Sequence, residues 1–464
     1  MLKKFDFDKV PVVEIVNDIL VDSSKRNASD IHFDPHEDFM LIRIRIDGSL
    51  IDYAEVPNNI KKNLVTRIKI ISGMNITESR LPQDGAIKTT LQNIDLDLRV
   101  SCLPTINGEK IVIRILDYTM SEAGLESLGF TDKNYEKIVK MISAPNGIIL
   151  VTGATGSGKS TTVYSILQRL NKEDTNIITV EDPIEMNIEG VNQVQTNSEI
   201  GLTFANALRS ILRQDPNIIM IGEIRDTETA KIAVRASITG HLVLSTIHTN
   251  NSLNTIERLL DMDVERYLLS SALTGIVSQK LARKLCSHCK TKRPTNDYEK
   301  DLFKKVLNKD VEEIYTAEGC DECSNGYKGR IAIHEVLLVN QEIKDAISSN
   351  LRKDKLRELV YKSDVDTLLQ DGLKKVVNGE TTVEEILKII EIDNDDKVIE
   401  GEYDLKDALD LTNIANNNKI TNSKDEKTKE VSNDIKTSTT TDTTKEKFNV
   451  DDILKGLDSL EIKL

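Results

Sequence analysis

The chain has 464 residues, 39% of them hydrophobic, with 61 basic against 76 acidic side chains and a formal net charge of −15. That length suits two or three domains with cores of their own, and the hydrophobic fraction is that of a globular rather than a fibrous protein; the acidic balance argues against a surface that coats nucleic acid, though it leaves room for a local basic patch. No stretch reaches the roughly 20 apolar residues of a membrane span, and the N-terminus becomes acidic before a signal-type apolar core can form, so the expectation is a cytoplasmic protein that meets membranes only through partners.

Residues 10–26 place Val12, Val13, Val16, Ile19 and Leu20 at helical spacing, which predicts an amphipathic helix. Leu41-Ile-Arg-Ile-Arg-Ile46 before Asp47-Gly48 reads as a strand and a turn. Residues 94–100 and 110–116 read as further strands, with a helix over 58–72 before them. Residues 1–118 thus form a small α+β domain, followed by a linker over 119–130. From 131 the pattern alternates: helix 132–142, strand 147–152, helix 159–170, strand 176–181, helix 203–213, strand 217–221, helix 226–238 and strand 241–246. This predicts an α/β fold with a mostly parallel sheet. The domain runs to 390 and carries a cysteine-bearing insertion over 286–323. From 391 to 464 there are 19 acids against 11 bases, so −8 of the net charge lies there. Residues 391–447 read as an acidic, polar, disordered tail, because 412–447, rich in Asn, Thr, Ser, Lys and Asp and almost without apolar residues, cannot offset the entropy of ordering. Residues 448–464 recover helical spacing as a short amphipathic helix, either a frayed end or a tethered docking peptide.

The most informative stretch is Gly153-Ala154-Thr155-Gly156-Ser157-Gly158-Lys159-Ser160-Thr161, directly behind the apolar run 147–152. It fits the phosphate-binding loop G-x-x-x-x-G-K-[ST] in its proper setting of strand, loop and helix. The glycines let backbone N–H groups converge on phosphates, Lys159 neutralises β/γ charge and Ser160 ligates magnesium. Such a loop needs a carboxylate near its metal, and Glu223, after the strand 217–221, supplies one. Hydrolysis also needs a group to orient or deprotonate water; Glu181, Asp182 and Glu185 cluster at another strand end, and their composition leaves open which acts. His241 and His248 bracket a further strand, His248 being either a γ-phosphate sensor or a satisfied structural residue. Cys286-x-x-Cys289 and Cys320-x-x-Cys323 fit a closed four-thiolate zinc site, with His288 as a spare ligand. In the competing reading as a pair of redox motifs, neither CxxC sits at the start of a thioredoxin-like helix after a strand.

These blocks, together with Ala28-Ser-Asp-Ile-His32, Arg45-Ile-Asp-Gly48, Arg80-Leu-Pro-Gln-Asp-Gly85 and Leu212-Arg-Gln-Asp-Pro216, resemble the secretion ATPase family of type II secretion and type IV pilus machines, the GspE/PilB group. The likeness covers residues 10–390. It implies a PAS-like N-terminal domain joined flexibly to a RecA-like ATPase domain, six copies in a ring with ATP between the two domains, and an inner-membrane platform protein as partner. Carried onto this chain, it implies that Glu185 is the general base, Glu223 the magnesium-side carboxylate and His248 a γ-phosphate contact. It implies further that Arg99 and Arg114 reach the phosphates when the domains close; without it they read as exposed strand arginines. The tetracysteine element resembles assembly motors rather than retraction motors, so the leading expectation is pilin polymerisation, with a type II secretion or DNA-uptake pseudopilus as the alternative. A nucleic-acid motor is disfavoured by the acidity and the 4% aromatic content. A nucleotide-gated scaffold without turnover is the remaining reading. The chain departs from the family pattern in starting at the PAS-like domain and in its acidic tail, which makes the C-terminal helix a candidate dock.

Overall fold

The computed structural model describes residues 2–7, 9–116 and 124–390. Helix α1 (Val12–Lys25) leads into β1 (Ala28–Pro35), β2 (Phe39–Ile46) and β3 (Ser49–Pro57); α2 (Asn58–Ile71) follows, then β4 (Gln83–Leu91), β5 (Ile94–Thr105) and β6 (Gly108–Leu116). The strands form one antiparallel sheet in the order β3-β2-β1-β6-β5-β4. Alternate residues of the strands, among them Ile31, Phe33, Ile42, Ile44, Leu98 and Ile113, share a core with Ile15 and Ile19 of α1 and Leu64 and Ile68 of α2.

Both helices and the strands β2, β5 and β6 match expectation, whereas β1, β3 and β4 escaped it. Low strand propensity explains two of them: β1 carries Asp30, His32, Asp34 and Pro35, and β4 opens Gln83-Asp84-Gly85. The acids of β1 are held by cross-strand cations. Asp30 lies 3.5 Å from Arg45 and 3.1 Å from Arg114, and Asp34 lies 2.7 Å from Arg43 and also pairs with Lys110.

The second part begins with α3 (Asp132–Ile142), β7 (Gly147–Thr152), α4 (Lys159–Leu170), β8 (Ile177–Glu181), β9 (Asn192–Gln195), α5 (Phe204–Ile211), β10 (Ile218–Ile221), α6 (Thr227–Ile238) and β11 (Leu242–Ile247). It continues with α7 (Ser252–Asp261), α8 (Arg266–Ala272), β12 (Leu273–Leu285), β13 (Thr291–Pro294), α9 (Asp297–Leu307), β14 (Glu313–Thr316) and β15 (Tyr327–Leu338), and ends with α10 (Gln341–Ser348), α11 (Lys353–Lys362), α12 (Leu368–Val377) and α13 (Val383–Ile389). The strand order is β15-β12-β7-β11-β10-β8-β9, parallel except for β15 against β12.

Both faces of this sheet are covered, so its central strands read as unbroken apolar runs. Ile148 and Leu150 of β7 join Ile219 and Val243 in one cluster, while Ile149 and Val151 join Met220 and Leu244 in another. The latter cluster also takes Leu125 and Leu128, so residues 124–128 pack against Ile166 and Leu167 of α4. Strands β12 and β15 went unforeseen because Lys280, Arg283, Lys328 and Arg330 interrupt their apolar pattern.

The cysteine insertion is the loop of the β12–β15 hairpin, which closes at the Leu285–Tyr327 pair. Its Phe303 and Ile314 bury against Leu373, Val376 and Ile386 of the last helices. At the base of the hairpin Gly329 N donates to Asp47 Oδ2 at 2.8 Å, joining the turn of Arg45-Ile-Asp-Gly48 to the start of β15. The tail and terminal helix expected over 391–464 lie outside the described residues. Among those described, no helix is long and apolar enough to cross a membrane.

Candidate nucleotide site

Residues 153–161 carry the chain from the carboxyl end of β7 onto the first turn of α4, so backbone N–H groups converge at a helix start, where an anion is favoured. Gly156 and Gly158 have φ of 78° and 88°, conformations open to glycine at little cost. Lys159 turns back into the loop, donating to Gly153 O at 2.9 Å and Ala154 O at 3.0 Å. Burial holds its ammonium below the usual lysine pKa, and Glu223 partly offsets that. Ser157 Oγ is buried without a hydrogen-bond partner. An orphaned hydroxyl, a buried lysine and a helix start are the groups a bound phosphate would satisfy, so the loop fits a nucleoside triphosphate. Ser160 is exposed on the first turn of α4, free to meet a cation.

Glu223 follows β10, two strands from the loop, and is largely buried. It pairs with Arg225, and its other oxygen stands 3.6 Å from His248 Nε2. Burial, then the Lys159 charge, push the His248 pKa down, so the ring is neutral at pH 7 and suits hydrogen bonding rather than charge pairing. The His248 loop is pinned to β7: Thr249 N donates to Thr152 Oγ1 at 3.1 Å, and Thr152 Oγ1 to Thr249 O at 2.7 Å. His241, at the opposite end of β11, bonds Ala236 O through Nδ1 at 2.9 Å and is structural. Asp226 is equally structural, capping α6 by accepting from Thr229 N at 2.8 Å.

The three clustered carboxylates, undifferentiated in sequence, have different surroundings. Glu181 is 3% exposed and accepts from Thr179 Oγ1 at 2.6 Å, from Gln193 Nε2 at 3.0 Å and from the Tyr164 hydroxyl. Its lone pairs are spent on holding the loop. Asp182 is exposed, 3.7 Å from Arg225. Glu185 is half-buried and lines a cleft of about 1470 Å³ between the two sheets, together with Arg99, Arg114, Gln168 and Asn171.

Arg99 and Arg114 are cross-strand neighbours on β5 and β6. Arg99 Nη2 donates to Ile184 O at 2.7 Å, so it grips the Glu185 loop, whereas Arg114 pairs with Asp30. The phosphate loop is not among the lining of that cleft. The side chains therefore fall into two groups, Lys159–Glu223–His248 around the loop and Arg99–Arg114–Glu185 in the cleft. Tyr164 of α4 joins them by accepting from Glu185 N at 3.0 Å. Sequence reasoning missed Tyr164 and Arg225, although Arg225 adjoins an acidic strand end and Tyr164 lies one turn beyond the loop.

The four cysteine sulfurs lie within 4.8 Å of one another. Cys286–Cys320 is 3.9 Å, Cys289–Cys323 3.7 Å and Cys320–Cys323 3.6 Å. Zn–S bonds of about 2.3 Å at tetrahedral angles put sulfurs about 3.8 Å apart, so the thiolate cage fits zinc and is far too open for a disulfide.

A family described as "Type II/IV secretion system protein" matches residues 6–388. The type II secretion system protein E of Aeromonas hydrophila is 43% identical over 387 residues, covering 83% of this chain and 77% of its own. The type IV pilus assembly ATPase PilB of Thermus thermophilus is 44% identical over 384 residues, covering 82% of this chain and 43% of its own. A crystal structure of the pilus retraction motor PilT with bound ADP superposes with a TM-score of 0.57 at 26% identity, covering 83% of this chain and 98% of that one. The α/β architecture, the phosphate loop and the sequence match lead to one family, and this chain belongs to the type II/IV secretion system proteins.

Proposed function

We propose that the protein is an ATP-hydrolysing motor that drives assembly of a pilus-type filament through an inner-membrane platform protein. The observation that carries this is the phosphate loop with Lys159 buried in it and electrostatically coupled to Glu223 two strands away. In this reading residues 153–161 hold the triphosphate, Lys159 meets the β/γ oxygens, and Ser160 with Glu223 would hold magnesium, which neutralises charge on the phosphates. His248 donates to the γ-phosphate as a neutral ring. Glu185 accepts the proton of the attacking water, since Glu181 is consumed by its hydrogen bonds and Asp182 faces Arg225. Arg99 and Arg114 neutralise charge on the transferred phosphoryl group once the PAS-like N-terminal domain closes on the RecA-like ATPase domain. The tetracysteine site would hold zinc as a structural clamp on the β12–β15 hairpin. The working form is a homohexamer on the cytoplasmic face of the inner membrane.

The pilus-assembly relative supports pilin polymerisation as the work done, and the type II secretion relative supports the pseudopilus alternative. Phosphate release from Mg–ATP by the purified chain, lost in Lys159→Ala, is the test. A chain that binds ATP without releasing phosphate would be a nucleotide-gated scaffold instead.

A further inference from the structure

We infer that Gln279 is a positioning residue for nucleotide binding, setting the shape of the phosphate loop from the neighbouring strand. The inference rests on reading residues 153–161 as a nucleotide site. Gln279 lies on β12 one residue beyond the Ser278–Thr152 pair, alongside Gly153, and is 1% exposed. Both ends of its carboxamide are engaged. Nε2 donates to Ser157 O at 2.7 Å, and Oε1 accepts from Thr162 Oγ1 at 2.8 Å. The hydroxyl can donate to the oxygen and the carbonyl can only accept from the nitrogen, so the network fixes the amide orientation.

One loop glycine makes room for the carboxamide: a Cβ on Gly158 would lie 3.1 Å from Gln279 Nε2, while one on Gly153 would meet the backbone carbonyl of Gln279 at 2.4 Å. The side-chain contact therefore joins the Ser157–Gly158 end of the loop to the first turn of α4. Its consequence follows from peptide geometry. In a trans peptide the carbonyl and the next N–H point to opposite sides, so holding Ser157 O toward β12 turns the Gly158 N–H away from it, toward the mouth of the loop. That N–H belongs to the set that cradles phosphate. Without Gln279 the 157–158 peptide can rotate, and the donor is no longer preset before the ligand arrives.

Such a role predicts a particular kinetic signature. Preset donors that hold phosphate equally in ground and transition states change KM rather than kcat. Gln279→Leu keeps most of the side chain's volume and removes both hydrogen bonds. We expect it to raise KM for Mg–ATP and Kd for ADP by about 10- to 100-fold, the scale of one or two lost buried hydrogen bonds, with kcat falling by less than about fivefold. Gln279→Met tests the donor a second way: the side chain keeps its length but cannot donate to Ser157 O, so KM for Mg–ATP and Kd for ADP should rise as in Gln279→Leu. Thr162→Val, which spares the bond to Ser157, should raise KM by less than about fivefold.

Unchanged KM and Kd in Gln279→Leu, or a fall in kcat alone, overturns the inference, because a side chain that merely props the fold reduces the active fraction and leaves KM alone. Should Gln279→Leu fail to fold, Gln279→Met decides, and wild-type KM and Kd in it count against the inference. A wild-type chain that binds neither ATP nor ADP refutes the nucleotide reading itself, an outcome distinct from all of these.

Discussion

The hydroxyl of Tyr164 bonds Glu181 on one side and the backbone N–H of Glu185 on the other, so the helix that begins at the phosphate loop also fixes the loop bearing the proposed base. Removing only that hydroxyl leaves Glu181 with Thr179 and Gln193 but frees the Glu185 backbone. Tyr164→Phe should therefore lower kcat by about 10-fold or more with a smaller change in KM, and cost about 1–3 kcal/mol of stability. Steady-state kinetics beside thermal unfolding measure both. Wild-type kcat in the variant would mean that the Glu185 backbone needs no anchor.

Lys159→Ala and Glu185→Ala should both abolish turnover, yet differ in binding. Losing Lys159 removes the cation at the β/γ oxygens and should weaken ATP binding. Losing Glu185 spares the loop, so ATP should bind as in wild type while phosphate release stops. Titration calorimetry with Mg–ATP separates the two, and full activity in Glu185→Ala would return the base to Asp182.

Cys320→Ser should lower the zinc content measured by atomic absorption and loosen the hairpin insertion, because three thiolates no longer close the sphere. Chelation of the wild type should have the same effect, seen as new protease cleavage within residues 286–326. Unchanged metal content in the variant would remove zinc from the description.

His334 lies in β15 with both ring nitrogens buried and unpartnered, stacked on Phe130 at 3.8 Å between centroids. Burial, then the Lys375 charge, hold its pKa well below 6.5. A histidine depressed in this way binds its proton more readily when unfolded, so its contribution is complete above about pH 6.5 and is lost as pH falls below that, at up to about 1.4 kcal/mol per pH unit. His334→Phe should flatten this decline. Asp371 and Lys375 remain in the variant, so subtracting the two stability curves isolates the ring. Parallel curves between pH 6.5 and 5 would show that His334 is not the acid-sensitive group.

The parts of the fold legible in the sequence were those whose residues report a single environment. Strand β7 and helix α4 emerged with their observed bounds because a strand buried on both faces is apolar throughout and a phosphate loop marks the joint. Strands β1 and β4 did not, since their polar residues are matched by partners distant in sequence, such as Asp30 with Arg114. The same limit applies to the site. The motif contained Lys159 and Ser160, but that Glu181 is a structural acceptor depends on Gln193 and Tyr164 meeting it, which no local pattern encodes. For Arg99, composition gave a strand arginine, and only the packing of the two sheets gives it the Ile184 carbonyl.

In the proposed motor, that bond between Arg99 and the carbonyl of Ile184 would make force and chemistry answer to each other. If nucleotide alters how firmly the antiparallel sheet is held against the Glu185 loop, then by linkage a mechanical load pulling on that sheet must alter nucleotide affinity by the same free energy. A motor working as proposed would sense its load at the nucleotide site without a separate sensor.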